Sequence, residues 1–82
     1  MSAPLETAIF DLLAARDAGK TICPSEAARA VDPEGWRRLM PQVRATAIGL
    51  ARQGRLEITR HGKRANPDAF KGVYRLRLPE AS

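Results

Sequence analysis

The chain has 82 residues, 44% of them hydrophobic and 28% charged, with a net charge of +5 and a pI near 10.4. That is room for one domain with a thin core, since a chain this short buries only about 60–65% of the surface its unfolded form exposes. No apolar run approaches the roughly 20 residues that span a bilayer, no cationic-then-apolar leader is visible, and one cysteine forms no internal disulfide, so a cytoplasmic protein is expected.

The charge is unevenly placed. Residues 1–36 carry three Lys or Arg against six Asp or Glu, a balance of −3, while residues 37–82 carry eleven against three, a balance of +8. Such a field draws polyanions to the second half and makes their association salt-dependent. The plainer reading is a solubilising surface, and the order of the structural elements has to decide between the two.

The first helix is expected over about 4–18. Proline suits its first position, Leu5, Ala8, Ile9, Leu12 and Leu13 recur on one helical face, and Gly19 supplies a stop. Phe10 lies off that stripe and either extends the core or begins a dimer patch. Thr21-Ile22-Cys23 is long enough only for a short strand. Pro24-Ser25-Glu26 opens a second helix, about 24–31, whose apolar side is Ala27, Ala28 and Val31.

Asp32-Pro33-Glu34 resembles another helix start, so a third helix is expected over about 33–53, with a break near Pro41 and an end at Gly54. Its core face is Met40, Val43, Ala47, Leu50 and Ala51, and Gln42, Ala45, Gly49, Arg52 and Gln53 fall opposite, flanked by Arg44 and Ile48. Beyond Gly54 the period becomes alternating. Two wing strands are expected at about 56–60 and 72–78, joined by a loop rich in turn formers and cations. The fold class is therefore α+β, mainly α: three helices, a short strand after the first, and a C-terminal two-stranded hairpin wing.

In this order the chain resembles the winged helix-turn-helix family. "CPSEAARAV" (residues 23–31) is similar to the first helix of a helix-turn-helix pair, and "VRATAIGLARQGRLEIT" (residues 43–59) to a recognition helix that runs through a glycine turn into the first wing strand. The segments "GKTICPSEAAR", "WRRLMPQVR" and "GVYRLRL" also resemble a small bacterial family called domain of unknown function 3253. That resemblance implies the winged-helix fold and carries no established activity.

A recognition helix reads base edges with Arg, Gln or Asn and thymine methyls with apolar groups. Arg38, Gln42, Arg44, Arg52 and Gln53 are the candidate contacts on the helix, with Ile48 for a methyl; Arg60, Lys63, Arg64 and Lys71 are candidate phosphate contacts on the wing. Ala45 and Gly49 either let the backbone approach a groove or seat another helix. Arg75 and Arg77 extend the basic patch or blunt a sheet edge. Trp36 has the ring for base stacking, but with Leu39 and Met40 just beyond it reads as a core anchor, and Cys23 reads as a buried small hydrophobe rather than a redox sensor.

Catalytic chemistry finds little to work with. One His and one Cys fall short of a four-ligand zinc set, His61 has no neighbouring acid for a triad, and no phosphate-cradling glycine loop is present. Neither enzyme activity nor any cofactor is expected. DNA is the expected partner and a transcriptional regulator the expected role; RNA stays open, as does a homodimer. The alternative is a winged-helix module for protein interaction or dimerisation that binds no nucleic acid.

Overall fold

The computed structural model describes residues 3–79. Its elements are α1 (Ala3–Ala14), α2 (Pro24–Val31), α3 (Trp36–Arg52), β1 (Glu57–Arg60), β2 (Lys63–Arg64) and β3 (Arg75–Arg77). The three strands form one antiparallel sheet in the order β2-β1-β3. Ile22 adds a one-residue line outside β3, exchanging both backbone hydrogen bonds with Leu76 at 2.8 and 3.0 Å. Three helices against a small sheet, with the residue after α1 joining the strand from the C-terminus, make a winged-helix layout.

The expected faces meet in the core. Ile9 and Leu13 of α1, Ala27 of α2, Ala47 and Leu50 of α3, and Leu56, Ile58, Tyr74 and Leu76 around the sheet form one buried cluster with Ile22 and Phe70. A second cluster, Leu5, Ala28 and Val43, lies under Trp36, Leu39 and Met40. Ala27 and Ala28 are fully buried, and their small side chains let the eight-residue α2 seat closely between its neighbours. Glu26 ties the start of α2 down: it accepts the backbone N–H of Cys23 at 2.6 Å and pairs with Arg16 from beyond α1. Phe10 packs on the main cluster with Arg55 over its ring, so it extends the core.

Two helix boundaries and one expected break differ. The first helix stops at Ala14 rather than near 18, because its buried stripe ends at Leu13 and residues 14–20 are all exposed. The third helix starts at Trp36 rather than 33. Asp32 Oδ1 accepts the N–H groups of Gly35 at 2.9 Å and Glu34 at 3.3 Å, which closes a turn ahead of the helix instead of capping it. Nor does Pro41 break α3, which runs through it without interruption. A proline inside a helix costs about 3 kcal/mol. Packing on both sides of it, Leu39 and Met40 before and Val43 to Leu50 after, offsets that loss, and Pro41 itself lies at the surface.

The wing differs most. Instead of one loop over 60–72, the chain reverses at His61-Gly62, whose φ values of 53° and 79° give the left-handed pair of a tight hairpin turn. β2 then pairs with the outer edge of β1, Thr59 opposite Arg64 and Arg60 opposite Lys63. Residues 65–74 cross back to reach β3 on the other edge. The expected strand over 72–78 shortens to Arg75–Arg77, with Val73 85% and Leu78 42% exposed. The crossing segment is held by its own side chains: Phe70 and Tyr74 are buried with their rings edge to face, centroids 5.1 Å apart.

Tyr74 is the single tyrosine, and its buried hydroxyl has no hydrogen-bond partner among the described residues. Burial pushes its pKa above the ordinary 10.0; the Arg44 guanidinium pulls it partly back, and proximity to Cys23 adds to the rise. Above pH 10 the unfolded chain loses this proton before the native chain does. Stability is therefore fully present below about pH 10 and falls as pH rises toward the native pKa. Alkaline absorbance titration of tyrosinate is expected to show a midpoint above that of free tyrosine, and Tyr74→Phe to remove this fall in stability. Because the hydroxyl is unpaired, that substitution is expected to be neutral or stabilising by up to about 1 kcal/mol. A native midpoint at or below 10 would contradict the burial.

Candidate nucleic-acid interface

The long helix α3 has one face committed to the core, through Val43, Thr46, Ala47 and Leu50. At 100° per residue, Arg38, Pro41, Gln42, Ala45, Gly49 and Arg52 share the opposite side within an arc of about 100°. Of these, Gly49 is half-buried and the rest are exposed. Gly35 shapes the start of the stripe: a Cβ there would collide with the Arg38 guanidinium and the Asp32 carboxylate, which approach each other at 3.6 Å. Arg38 stays largely free, with 83% of its side chain exposed.

The flank of α3 is closed. Residues 65–74 lie along it, and Arg44 is the clamp. Its guanidinium carbon stands 3.9 Å from the Phe70 ring centroid and 5.9 Å from that of Tyr74, and its Nη2 donates to the Phe70 carbonyl at 3.0 Å. Arg44 thus faces into the protein, away from any groove. Ile48 packs with Ala51 and Ala65 against the core cluster, so the expected methyl contact is engaged elsewhere. Arg52 donates its Nε to Asp68 Oδ1 at 2.7 Å, a contact its Nη2 reinforces. That pair is well exposed, so it contributes at most about 1 kcal/mol, yet it neutralises the cation at this end of the stripe. Gln53 lies just past the helix, where its Oε1 accepts from Arg55 at 3.3 Å.

The wing cations divide in the same way. Arg60 donates its Nε to the Val73 carbonyl at 3.0 Å and lies against Gly72, whose φ of 84° suits glycine. This staples β1 to the crossing segment. Glu57 stands between Arg77, at 2.8 Å, and Arg64, at 3.9 Å; Arg64 is the looser partner, 74% exposed. Arg75 donates to the Thr21 hydroxyl at 2.6 Å. Lys63 on β2 and Lys71 beside Phe70 are exposed and make no hydrogen bond or ion pair among the described residues. The geometry therefore groups Arg38, Gln42 and Arg52 on the helix stripe, sets Lys71 on the segment docked beside it, and leaves Lys63 and Arg64 on the hairpin. Arg44 and Arg60 are engaged within the fold, and Gln53 is exposed just past the helix.

Trp36 is half-buried over the Leu5, Ala28 and Val43 cluster, the expected core anchor. Two guanidinium carbons also stand over its ring, Arg29 at 4.3 Å and Arg37 at 4.4 Å. Neither was among the sequence candidates. Helical spacing gives no signal for the pair, since Arg37 is the immediate neighbour of Trp36 and Arg29 lies on α2, across the turn that separates it from α3. Cys23 is half-buried rather than buried, with its Sγ 3.1 Å from the Ser25 hydroxyl. Among the described residues no His, Cys, Asp and Glu side chains gather in threes to hold a metal ion, and no helix is long and apolar enough to cross a membrane.

Fold and surface together define a small α+β, mainly helical protein, consistent with a winged-helix layout, whose longest helix carries an exposed polar stripe. The chain belongs to the family described as a protein of unknown function, DUF3253, which it matches over residues 2–79. No curated protein matches it.

If Arg44 clamps the crossing segment, Arg44→Ala is expected to cost about 1–3 kcal/mol, the combined scale of a hydrogen bond and guanidinium stacking. Arg44→Lys should recover little, because an ammonium lacks the planar stacking surface. Urea unfolding gives the magnitude. Amide exchange should accelerate over residues 66–74 before it does in α1, and uniform acceleration would argue against a local clamp.

Proposed function

We propose that this domain binds duplex DNA, with the exposed stripe of α3 presented to the major groove and the surrounding cations on the phosphates, as a small DNA-binding regulator. The observation that carries the reading is the stripe itself: Arg38, Gln42, Ala45 and Arg52 are exposed on the longest helix of the basic half of the chain. Arg38 and Gln42 near the helix start have the donors and acceptors that read base edges. Ala45 is small enough for the backbone to lie close to the groove floor. The A-form major groove is too deep and narrow for side chains to read, which favours DNA over double-stranded RNA.

The supply of free base-reading groups is small. Arg44 and Ile48 are engaged in the fold and Arg52 is held by Asp68. Affinity on this reading comes mainly from phosphate contacts, so binding is weakly sequence-selective and strongly salt-dependent. A second reading, docking to another protein or copy, is favoured by a groove of about 710 Å³ between α1 and α2, lined by Ala8, Leu12, Ala30 and Val31 among others.

Fluorescence anisotropy with a labelled duplex of about 20 base pairs across a salt series separates the two. Each phosphate contact is expected to steepen the log–log slope by about 0.9, so Lys63→Ala with Lys71→Ala should flatten it by roughly 1.8. Asp68→Asn releases Arg52 and should tighten binding severalfold. No detectable duplex affinity at roughly 50 mM salt, together with a dimer or larger assembly by light scattering, would reverse the order of the two readings.

A further inference from the structure

All eleven arginines lie within the described residues, and nine of them have an acceptor there within 4 Å, seven of them as a hydrogen bond. Arg16, Arg38, Arg52, Arg55, Arg64 and Arg77 have carboxylates; Arg44 and Arg60 have carbonyls; Arg75 has a hydroxyl. The two that do not are Arg29 and Arg37, and they share one platform, the single tryptophan of the chain. At 4.3 and 4.4 Å from the same ring centroid, their guanidinium carbons are no more than about 9 Å apart.

This placement runs against local electrostatics. Two like charges are brought together, one in the last turn of α2 and the other in the first turn of α3, where the helix dipole disfavours a cation. The first turn of α3 holds no acid, and its N-cap, Gly35, offers no side-chain acceptor. Asp32 faces Arg38 and the backbone of the turn, and the nearby Glu34 makes no ion pair with either arginine. What the stack provides is order. Trp36 is seated on the Leu5, Ala28 and Val43 cluster, so the ring is a fixed base on which two long side chains lose little further freedom when an anion arrives.

We propose that Arg29 and Arg37, ordered on Trp36, form a phosphate clamp at the α2–α3 turn that grips the DNA backbone beside the groove entered by α3. The inference rests on the duplex-binding reading above and deepens it. It assigns the turn, rather than the wing, the pre-organised share of the phosphate contacts. Trp36 acts as a positioning residue, its ring serving the guanidiniums rather than the bases. Arg38, on the same turn, lies on the groove side and adds a looser third cation.

The experiment is a duplex titration read by anisotropy and by Trp36 fluorescence over a salt series. The wild-type chain is compared with Arg29→Ala/Arg37→Ala, Lys63→Ala/Lys71→Ala and Trp36→Leu; circular dichroism and urea midpoints establish that each variant is folded. Duplex is expected to change the wild-type fluorescence. The Arg29→Ala/Arg37→Ala variant should lose that change and about 1.8 of the salt slope, two contacts of about 0.9 each. Trp36→Leu keeps both charges, so it should bind severalfold more weakly at nearly unchanged slope; should it fail to fold, Trp36→Phe replaces it, with a smaller weakening expected because its smaller ring still holds the guanidiniums in part. Wild-type binding whose slope and fluorescence change both survive Arg29→Ala/Arg37→Ala, but whose slope falls in Lys63→Ala/Lys71→Ala, overturns the clamp and leaves the duplex reading standing. Absence of wild-type binding overturns both.

Discussion

The Arg44 guanidinium stands over the Phe70 ring and reaches that residue's carbonyl while staying close to Tyr74. Much of the sheet hangs on that contact. β1 and β3 are neighbours in space but are separated in sequence by a hairpin and a ten-residue crossing, and a chain of this length has little core with which to hold such a connection. Two buried aromatic rings, one stacked cation and the Arg60 staple onto Val73 fix the crossing to α3 and β1. β3 is thereby delivered into register, Ile58 opposite Leu76 and Glu57 opposite Arg77. The same docking closes one flank of α3, leaving the Arg38–Gln42–Ala45 side as its exposed surface.

Arginine chemistry explains why so basic a chain need not expose all of its charge. A guanidinium has five donors in a plane and is only weakly hydrated, so it serves carbonyls, carboxylates and rings inside a fold better than an ammonium does. Most of the arginines here act as cross-links between elements distant in sequence: Arg55 reaches Glu6, Arg75 reaches Thr21 and Arg77 reaches Glu57. The excess of +8 in the second half therefore includes many cations already engaged in such cross-links. Any surface that meets an anion is built from the remainder.

What the sequence revealed was whatever depends on period. The stripes Leu5/Ile9/Leu13, Val43/Ala47/Leu50 and Leu56/Ile58 are local patterns, and each is buried as its spacing implies. The order of elements followed from them, and with it the winged-helix layout. What stayed hidden depends on partners far along the chain. His61-Gly62 is not one of the common hairpin pairs, and a two-residue strand has no alternation to detect. Phe70 sits among turn formers, with nothing nearby to mark it as buried. Arg44 looks the same on a helical projection whether it faces a groove or a ring. The exposed stripe was therefore legible, whereas the separation of free from engaged cations required the tertiary contacts.

Both margins of the small sheet are cut short. On one side β2 offers two residues, Lys63 and Arg64, both exposed and both cationic; on the other, a single residue, Ile22, covers β3 before the chain turns into α2. Neither margin presents the run of unpaired backbone groups on which a second chain would extend a ladder. The architecture that leaves one side of α3 exposed thus also guards against edge-to-edge polymerisation, a hazard for any half-open sheet.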